Sequence, residues 1–213
     1  MDLNELCLVV QKGSQKKAKE LVSKALEEKI EPAKILNNGL IAAMTEIGNQ
    51  FKNNEIYVPE MLMAAKAMSA GMKVLEPILT KTGVKPVGKA VIGTVKGDLH
   101  DIGKNLVKMM MRGVGISVVD LGVDVPASKF LQKAKELGVD IVCLSALLTT
   151  TMPSIGDTIE EFKKAGIRDK YIFMIGGAPV SDEYAKKVDA DYYTPDAGTA
   201  AEVAKDALLK KAQ

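Results

Sequence analysis

The stretch Lys89-Ala90-Val91-Ile92-Gly93-Thr94-Val95-Lys96-Gly97-Asp98-Leu99-His100-Asp101-Ile102-Gly103 runs from a short apolar segment into a glycine-bearing loop, and then into amphipathic residues 103–112. An apolar run of this length, followed at once by loop residues, reads as a strand buried on both faces. The pattern repeats downstream, with strands expected at 116–120, 140–145, 171–175 and 191–193. Helices fit at 127–137, 153–165 and 181–188, with a last one from Thr199. Such alternation predicts a parallel sheet covered by helices on both faces. Five short strands suit a doubly wound, flavodoxin- or Rossmann-like sheet over residues 88–213. In that architecture ligands bind beyond the carboxyl ends of the strands at the topological switch point. The loops after the first, third and fourth strands are therefore the candidate site.

Upstream, residues 1–84 read as helices only. Leu3, Leu6, Val9 and Val10 mark a first amphipathic helix that stops near Gly13. Ser14 is placed to cap a second, whose apolar face holds Ala18, Leu21, Val22, Ala25 and Leu26. Glu31-Pro32 opens a third with the stripe Ile35, Leu36, Leu40, Ala43, Met44 and Ile47, Pro32 standing where its missing N–H costs nothing. Pro59 begins a fourth through Met61, Leu62, Ala65, Met68, Met72 and Leu75. Short connections make these an N-terminal four-helix bundle. Residues 82–88, with Gly83, Pro86 and Gly88, have the composition of a linker between the two parts.

Composition narrows the function classes. The formal net charge of +2 lacks the basic excess of a nucleic-acid surface. No apolar run approaches the roughly 18 residues that span a bilayer, and the start of the chain has no basic segment leading into an apolar one. Cys7 and Cys143 both sit in apolar contexts and are read as buried free thiols, so a cytoplasmic location is expected. The chain has no tryptophan, eleven methionines and one histidine, and most of the methionines are read as core filling.

That histidine, His100, lies in the loop after the first strand, two residues from Asp98. A lone histidine is ordinarily a satisfied structural residue. Its place at a strand end, in a loop that opens a helix, favours a ligand role, because neutral imidazole is a common metal ligand. A ligand imidazole usually donates its other N–H to a carboxylate, which Asp98 supplies. One imidazole does not make a metal cage, so the metal has to arrive inside a cofactor that brings its other ligands. In the loop after the third strand, Thr149-Thr150-Thr151 either caps the helix begun by Pro153 or sends a hydroxyl to Asp98. Gly176-Gly177, after the fourth strand, is either a plain turn or a place where a bulky ligand approaches backbone. Neither a phosphate-binding loop nor a G-x-G-x-x-G fingerprint is present.

Asp98-x-His100-x-x-Gly103, Ser145-x-Leu147 and Gly176-Gly177, at these intervals, resemble the signature of cobalamin-binding domains. The resemblance covers the whole chain. Glu55-Ile56-Tyr57-Val58-Pro59-Glu60-Met61 looks like the helical cap module of methionine synthase and of the small corrinoid proteins of methylamine, methanol and betaine methyltransferase systems. It implies cobalamin or a related cobamide bound base-off/His-on, with His100 the lower axial ligand to cobalt. Asp98 then bonds the far nitrogen of the ring and Thr151 extends the relay, where many relatives have Ser. Gly97, Leu99, Asp101, Ile102 and Gly103, with Thr149 and Thr150, belong to the same cofactor contact. Ser145 and Leu147 on one side, and Gly176 and Gly177 on the other, line a channel for the nucleotide tail. Tyr57 corresponds to an aromatic over the upper corrin face, with Met61 and Met68 beside it. The function implied is carriage of a methyl group between a substrate:corrinoid methyltransferase and a second methyltransferase, in a methyl-Co(III)/Co(I) cycle. The chain would be non-catalytic alone, and a reductive activase would be a third partner. The alternatives are the cobalamin subunit of an adenosylcobalamin-dependent mutase, which usually lacks the helical cap, and a cobalamin-dependent regulator, which needs a DNA-binding module not seen here.

Overall fold

A computed structural model describes residues 2–83 and 85–211; Val84, within the expected linker, lies outside the described residues. The chain forms two compact units. One runs to Pro86 and takes in Gly113–Gly115; the other comprises Val87–Arg112 and continues from Ile116.

The first unit holds α1 (Leu3–Gln11), α2 (Gln15–Glu27), a third rod and α5 (Val58–Thr82). Asp2 caps α1 through its side chain. Ser14 stands at the N-cap of α2, yet only its carbonyl serves the helix, accepting from Ala18 at 2.9 Å; its hydroxyl makes no capping bond. The third rod departs from the expected uniform α-helix. It starts as α3 (Pro32–Lys34), widens into a π-helical segment (Ile35–Ile41) and resumes as α4 (Ala42–Lys52). In a π turn the bonds run to the fifth residue. Ile35 and Leu40, five apart, thereby share the buried side of the rod. Gly39 sits so close to Leu6 that a Cβ there would approach its Cδ2 to 2.6 Å. α5 packs along α1, α2 and α4. Met61, Ala65, Met68 and Leu75 of its expected stripe are buried.

The second unit contains β1 (Gly88–Thr94), α6 (Ile102–Gly113), β2 (Ile116–Asp120), α7 (Ala127–Leu137) and β3 (Ile141–Ser145). It continues with α8 (Pro153–Lys164), β4 (Ile172–Gly176), α9 (Asp182–Val188), β5 (Tyr192–Tyr193) and α10 (Ala197–Lys211). The strands are all parallel in the order β2-β1-β3-β4-β5. This is the flavodoxin-like order, with the switch point between β1 and β3. α10 starts two residues earlier than expected because Asp196 caps it, accepting from the Thr199 N–H at 2.8 Å and its hydroxyl at 2.7 Å.

Successive strand residues face opposite sides of the sheet. Val91, Val95, Val142, Leu144, Phe173 and Ile175 build one core with Phe130 of α7 and with Ile155, Ile159 and Phe162 of α8. The other face meets α6 through the contact of Cys143 with Met111, and α10 through Leu208 over Gly88. On that second face Thr94, Ser145 and Gly176 form one row across three adjacent strands, since Thr94 pairs with Ser145 and Ser145 with Gly176. The row closes the carboxyl end of the sheet with small side chains. Cys143 is a buried free thiol as expected, whereas Cys7 is only half-buried and accepts from Gln11.

Candidate cofactor site

Asp98 organises the loops at the switch point. Its side chain is fully buried, and all of its acceptor positions are used. Oδ1 accepts from the His100 main-chain N–H at 3.0 Å and pairs with His100 Nδ1 at 2.7 Å. Oδ2 accepts from Leu147 N–H at 2.7 Å, Leu148 N–H at 3.3 Å and the Thr151 hydroxyl at 2.7 Å. Burial pulls the Asp98 pKa upward. The donors from Leu147, Thr151 and His100 outweigh it and hold the carboxyl well below the usual carboxylate range. Asp98 is therefore an anion that ties the loop after β1 to the loop after β3.

An ionised Asp98 makes Nδ1 of His100 the protonated nitrogen and leaves the lone pair on Nε2. The His100 side chain is about 50% exposed although its partner carboxylate is 0% exposed. Around it four large apolar side chains stand in the open: Leu99 (72% exposed) from its own loop, Ile102 (74%) from the start of α6, and Leu147 and Leu148 from the loop after β3. Gly103, in the first turn of α6, faces open space, with no atom within 4 Å of where a Cβ would lie. Asp101 accepts from Asn105 and caps the same turn. Among the described residues no three metal-ligating side chains gather to hold a bare ion. One directed imidazole nitrogen amid an apolar rim fits a flat, largely apolar cofactor carrying its own metal.

Of the two glycines at the end of β4, Gly177 is required by geometry. Gly177 has φ +131°, and a Cβ there would lie 1.8 Å from the Ala146 carbonyl oxygen. A Cβ at Gly176 would come to 3.3 Å from the Thr194 carbonyl oxygen. The row Thr94, Ser145 and Gly176 thus leaves little side-chain volume on the α6/α10 face of the sheet. Thr149 and Thr150 are exposed in the turn before α8 and cap nothing, since Met152 is the N-cap of that helix. Of the three threonines Thr151 alone is buried and reaches Asp98. Tyr57 and Met61 belong to the helical unit, where Tyr57 is exposed and Met61 is buried with the core-facing residues of α5.

Some supports of the loop were not anticipated. Gly97, at φ +86°, donates to Asp124 Oδ1 at 2.7 Å, and Asp124 N–H donates back to the Asp98 carbonyl at 2.9 Å. The buried Lys104 and its neighbour Lys108 converge on Asp120 at the end of β2, at 2.7 and 2.6 Å. Burial raises the Asp120 pKa, but these two ammonium groups and the Gly122 N–H bring it down to about 2. The i,i+4 lysines on α6, followed by an acidic residue at the end of the next strand, were the signal for that cluster.

Two family models, both described as B12 binding domain, match this chain, one over residues 88–204 and one over residues 3–76. The chain belongs to the B12-binding corrinoid protein family. It is 43% identical to dimethylamine corrinoid protein 2 of Methanosarcina acetivorans over 87% of this chain and 86% of that one. It is 42% identical to the trimethylamine corrinoid protein of Methanosarcina barkeri, over 90% and 89% of the two. Among solved structures, a cobalamin-binding protein from Desulfitobacterium hafniense superposes with a TM-score of 0.81 at 30% identity, covering 97% of this chain and 98% of that one. The methanol:cobalamin methyltransferase complex of Methanosarcina barkeri superposes with a TM-score of 0.85 at 27% identity, over 96% and 78% of the two chains. The two-part fold and corrinoid binding are thus properties of the family, and the Asp98–His100 pair lies within the matched segment. No described helix is long and apolar enough to cross a membrane.

Proposed function

We propose that this corrinoid protein carries a methyl group from a substrate:corrinoid methyltransferase, of the kind that demethylates methylamines, to a second methyltransferase. The observation that supports this best is the half-exposed His100, its Nδ1 fixed by a buried, fully hydrogen-bonded carboxylate and its surroundings apolar. His100 Nε2 would bind the cobalt of a cobamide held base-off, His-on. Gly97, Leu99, Asp101, Ile102, Gly103, Thr149 and Thr150 flank it. Ser145, Leu147, Gly176 and Gly177 receive the nucleotide tail. Bound there, the corrinoid supplies a cobalt that accepts and gives up methyl groups.

The chain's own residues tune and orient that ligand. The Nδ1–H···Asp98 bond makes Nε2 a stronger donor than free imidazole. Thr151 and the two leucine N–H groups hold Asp98 in place and keep it ionised, so that it orients the imidazole through Nδ1. For the helical unit we propose a sheltering role toward the carried group, with the exposed Tyr57 as its aromatic contact. Met61, being buried, is the weaker candidate there. A reductive activase is proposed as a third partner. The test is reconstitution of the chain with hydroxocobalamin, followed by transfer assays with purified methylamine and methanol methyltransferases. Turnover with neither class, by a protein that has bound corrinoid, would refute the carrier role.

A further inference from the structure

We propose that Thr94 is a positioning residue for the His100 imidazole, acting through the His100 main-chain carbonyl. The inference deepens the corrinoid reading of the site and rests on it.

Thr94 ends β1, a strand whose other buried side chains include Ala90, Val91 and Ile92, and it is itself fully buried. A buried hydroxyl needs a partner, and its single proton makes one donation. That donation goes to the His100 carbonyl at 2.7 Å, across six residues of loop. Thr94 is itself held firmly. Its N–H donates to the Gly122 carbonyl at 3.0 Å, and its carbonyl accepts from the Val125 N–H at 2.9 Å. The hydroxyl therefore projects from backbone clamped to the loop after β2.

His100 needs such an anchor. With half of its side chain exposed, packing does little to fix the ring. Asp98 holds the residue from one side, at its N–H and at Nδ1. Those two bonds do not reach the peptide carbonyl after His100. The Thr94 hydroxyl fixes that peptide. Together the bonds determine where Nε2 points, and a ligand atom has to be held within about 0.5 Å of its working position. Asp98 sets the tautomer; Thr94 sets the direction.

The full-length protein tests this as Thr94→Val, which keeps the shape and removes the donor, and Thr94→Ser, which keeps the donor. Thr158→Val is the matched control. Thr158 is equally buried and donates to the Ser154 carbonyl at 2.7 Å within α8, with no bond of its own to the His100 loop. Because His100 is the chain's only histidine, imidazole nitrogen NMR of the apoprotein reports on this ring alone. Thr94→Val is expected to broaden or average the Nδ1–H signal; Thr94→Ser and Thr158→Val are expected to leave it sharp. In proteins loaded with hydroxocobalamin and reduced to Co(II), the ratio of imidazole-bound to imidazole-free cobalt is expected to fall about fivefold in Thr94→Val, the factor for one neutral hydrogen bond. Restoration in Thr94→Ser supports the role. Equal loss in Thr158→Val would show a general packing effect and overturn it. Unchanged nitrogen coupling in Thr94→Val, with coupling intact in the wild type, would overturn this inference alone. Absence of coupling in the wild type would overturn it together with the axial role of His100.

Discussion

Replacing Asp98 by Asn keeps the shape of the side chain and changes what it can accept. The carboxylate takes five hydrogen bonds, three on Oδ2 and two on Oδ1. An amide has one oxygen. Turned toward Leu147, Leu148 and Thr151, it keeps the larger group and presents NH2 to His100. The His100 N–H then meets a donor, and leaving such a group unpaired costs about 1–3 kcal/mol. The short bonds from Leu147 and Thr151 lose their charge assistance, roughly another 1 kcal/mol between them. The apoprotein should therefore unfold at lower urea, with a loss of about 3 kcal/mol. The ring should also change tautomer, because Nδ1 can now only accept from the amide, and the proton moves to Nε2. Urea titration gives the first quantity, and imidazole nitrogen NMR of the single histidine gives the second. Stability within about 0.5 kcal/mol of wild type, with the Nδ1–H tautomer retained, would refute the assignment of Asp98 as the ionised organiser.

Gly177→Ala should destabilise the apoprotein by about 3 kcal/mol or more, since both the positive φ and the collision with the Ala146 carbonyl have to be relieved; a normal urea midpoint would contradict the tight turn. Gly103→Ala should behave oppositely: with open space above it, the apoprotein should be no less stable, while corrinoid affinity falls about tenfold as the methyl group enters the cofactor's place. Equal affinity by spectrophotometric titration would remove Gly103 from the contact surface. Asp120 has a folded pKa of about 2 against an unfolded value of about 3.9, so its contribution is complete above the unfolded value and is lost as pH falls through the folded one. After solvent screening of this partly exposed carboxylate, Asp120→Asn should remove about 1–2 kcal/mol at pH 7 and flatten the stability profile between about pH 5 and 2. A mutant profile parallel to wild type would show that the Lys104–Asp120–Lys108 cluster adds nothing.

The strand–helix alternation after residue 88 was legible because buried parallel strands are short apolar runs bounded by glycine and charged residues, and each observed strand lies within a residue of its expected limits. The His100–Asp98 pairing was legible from spacing, because a two-residue separation in a strand-end loop lets a carboxylate turn back on the ring. Thr151 was singled out from three consecutive threonines by the family resemblance, not by the residues themselves, since only the turn before α8 determines which hydroxyl faces Asp98. The π segment at Ile35–Ile41 was illegible, because its apolar residues also satisfy an α-helical stripe and the tight approach of Gly39 to Leu6 is a tertiary fact. Thr94 and Asp124 were hidden for a similar reason. Each stabilises the His100 loop from another segment, and neither residue type is unusual where it stands.

Electron paramagnetic resonance of the reduced, corrinoid-loaded protein measures most directly whether His100 Nε2 binds cobalt. Wild type should show a Co(II) signal split by one imidazole nitrogen. His100→Ala should retain corrinoid through the sites around Ser145, Leu147, Gly176 and Gly177 and lose that splitting. Identical nitrogen splitting in wild type and His100→Ala would contradict cobalt binding by His100.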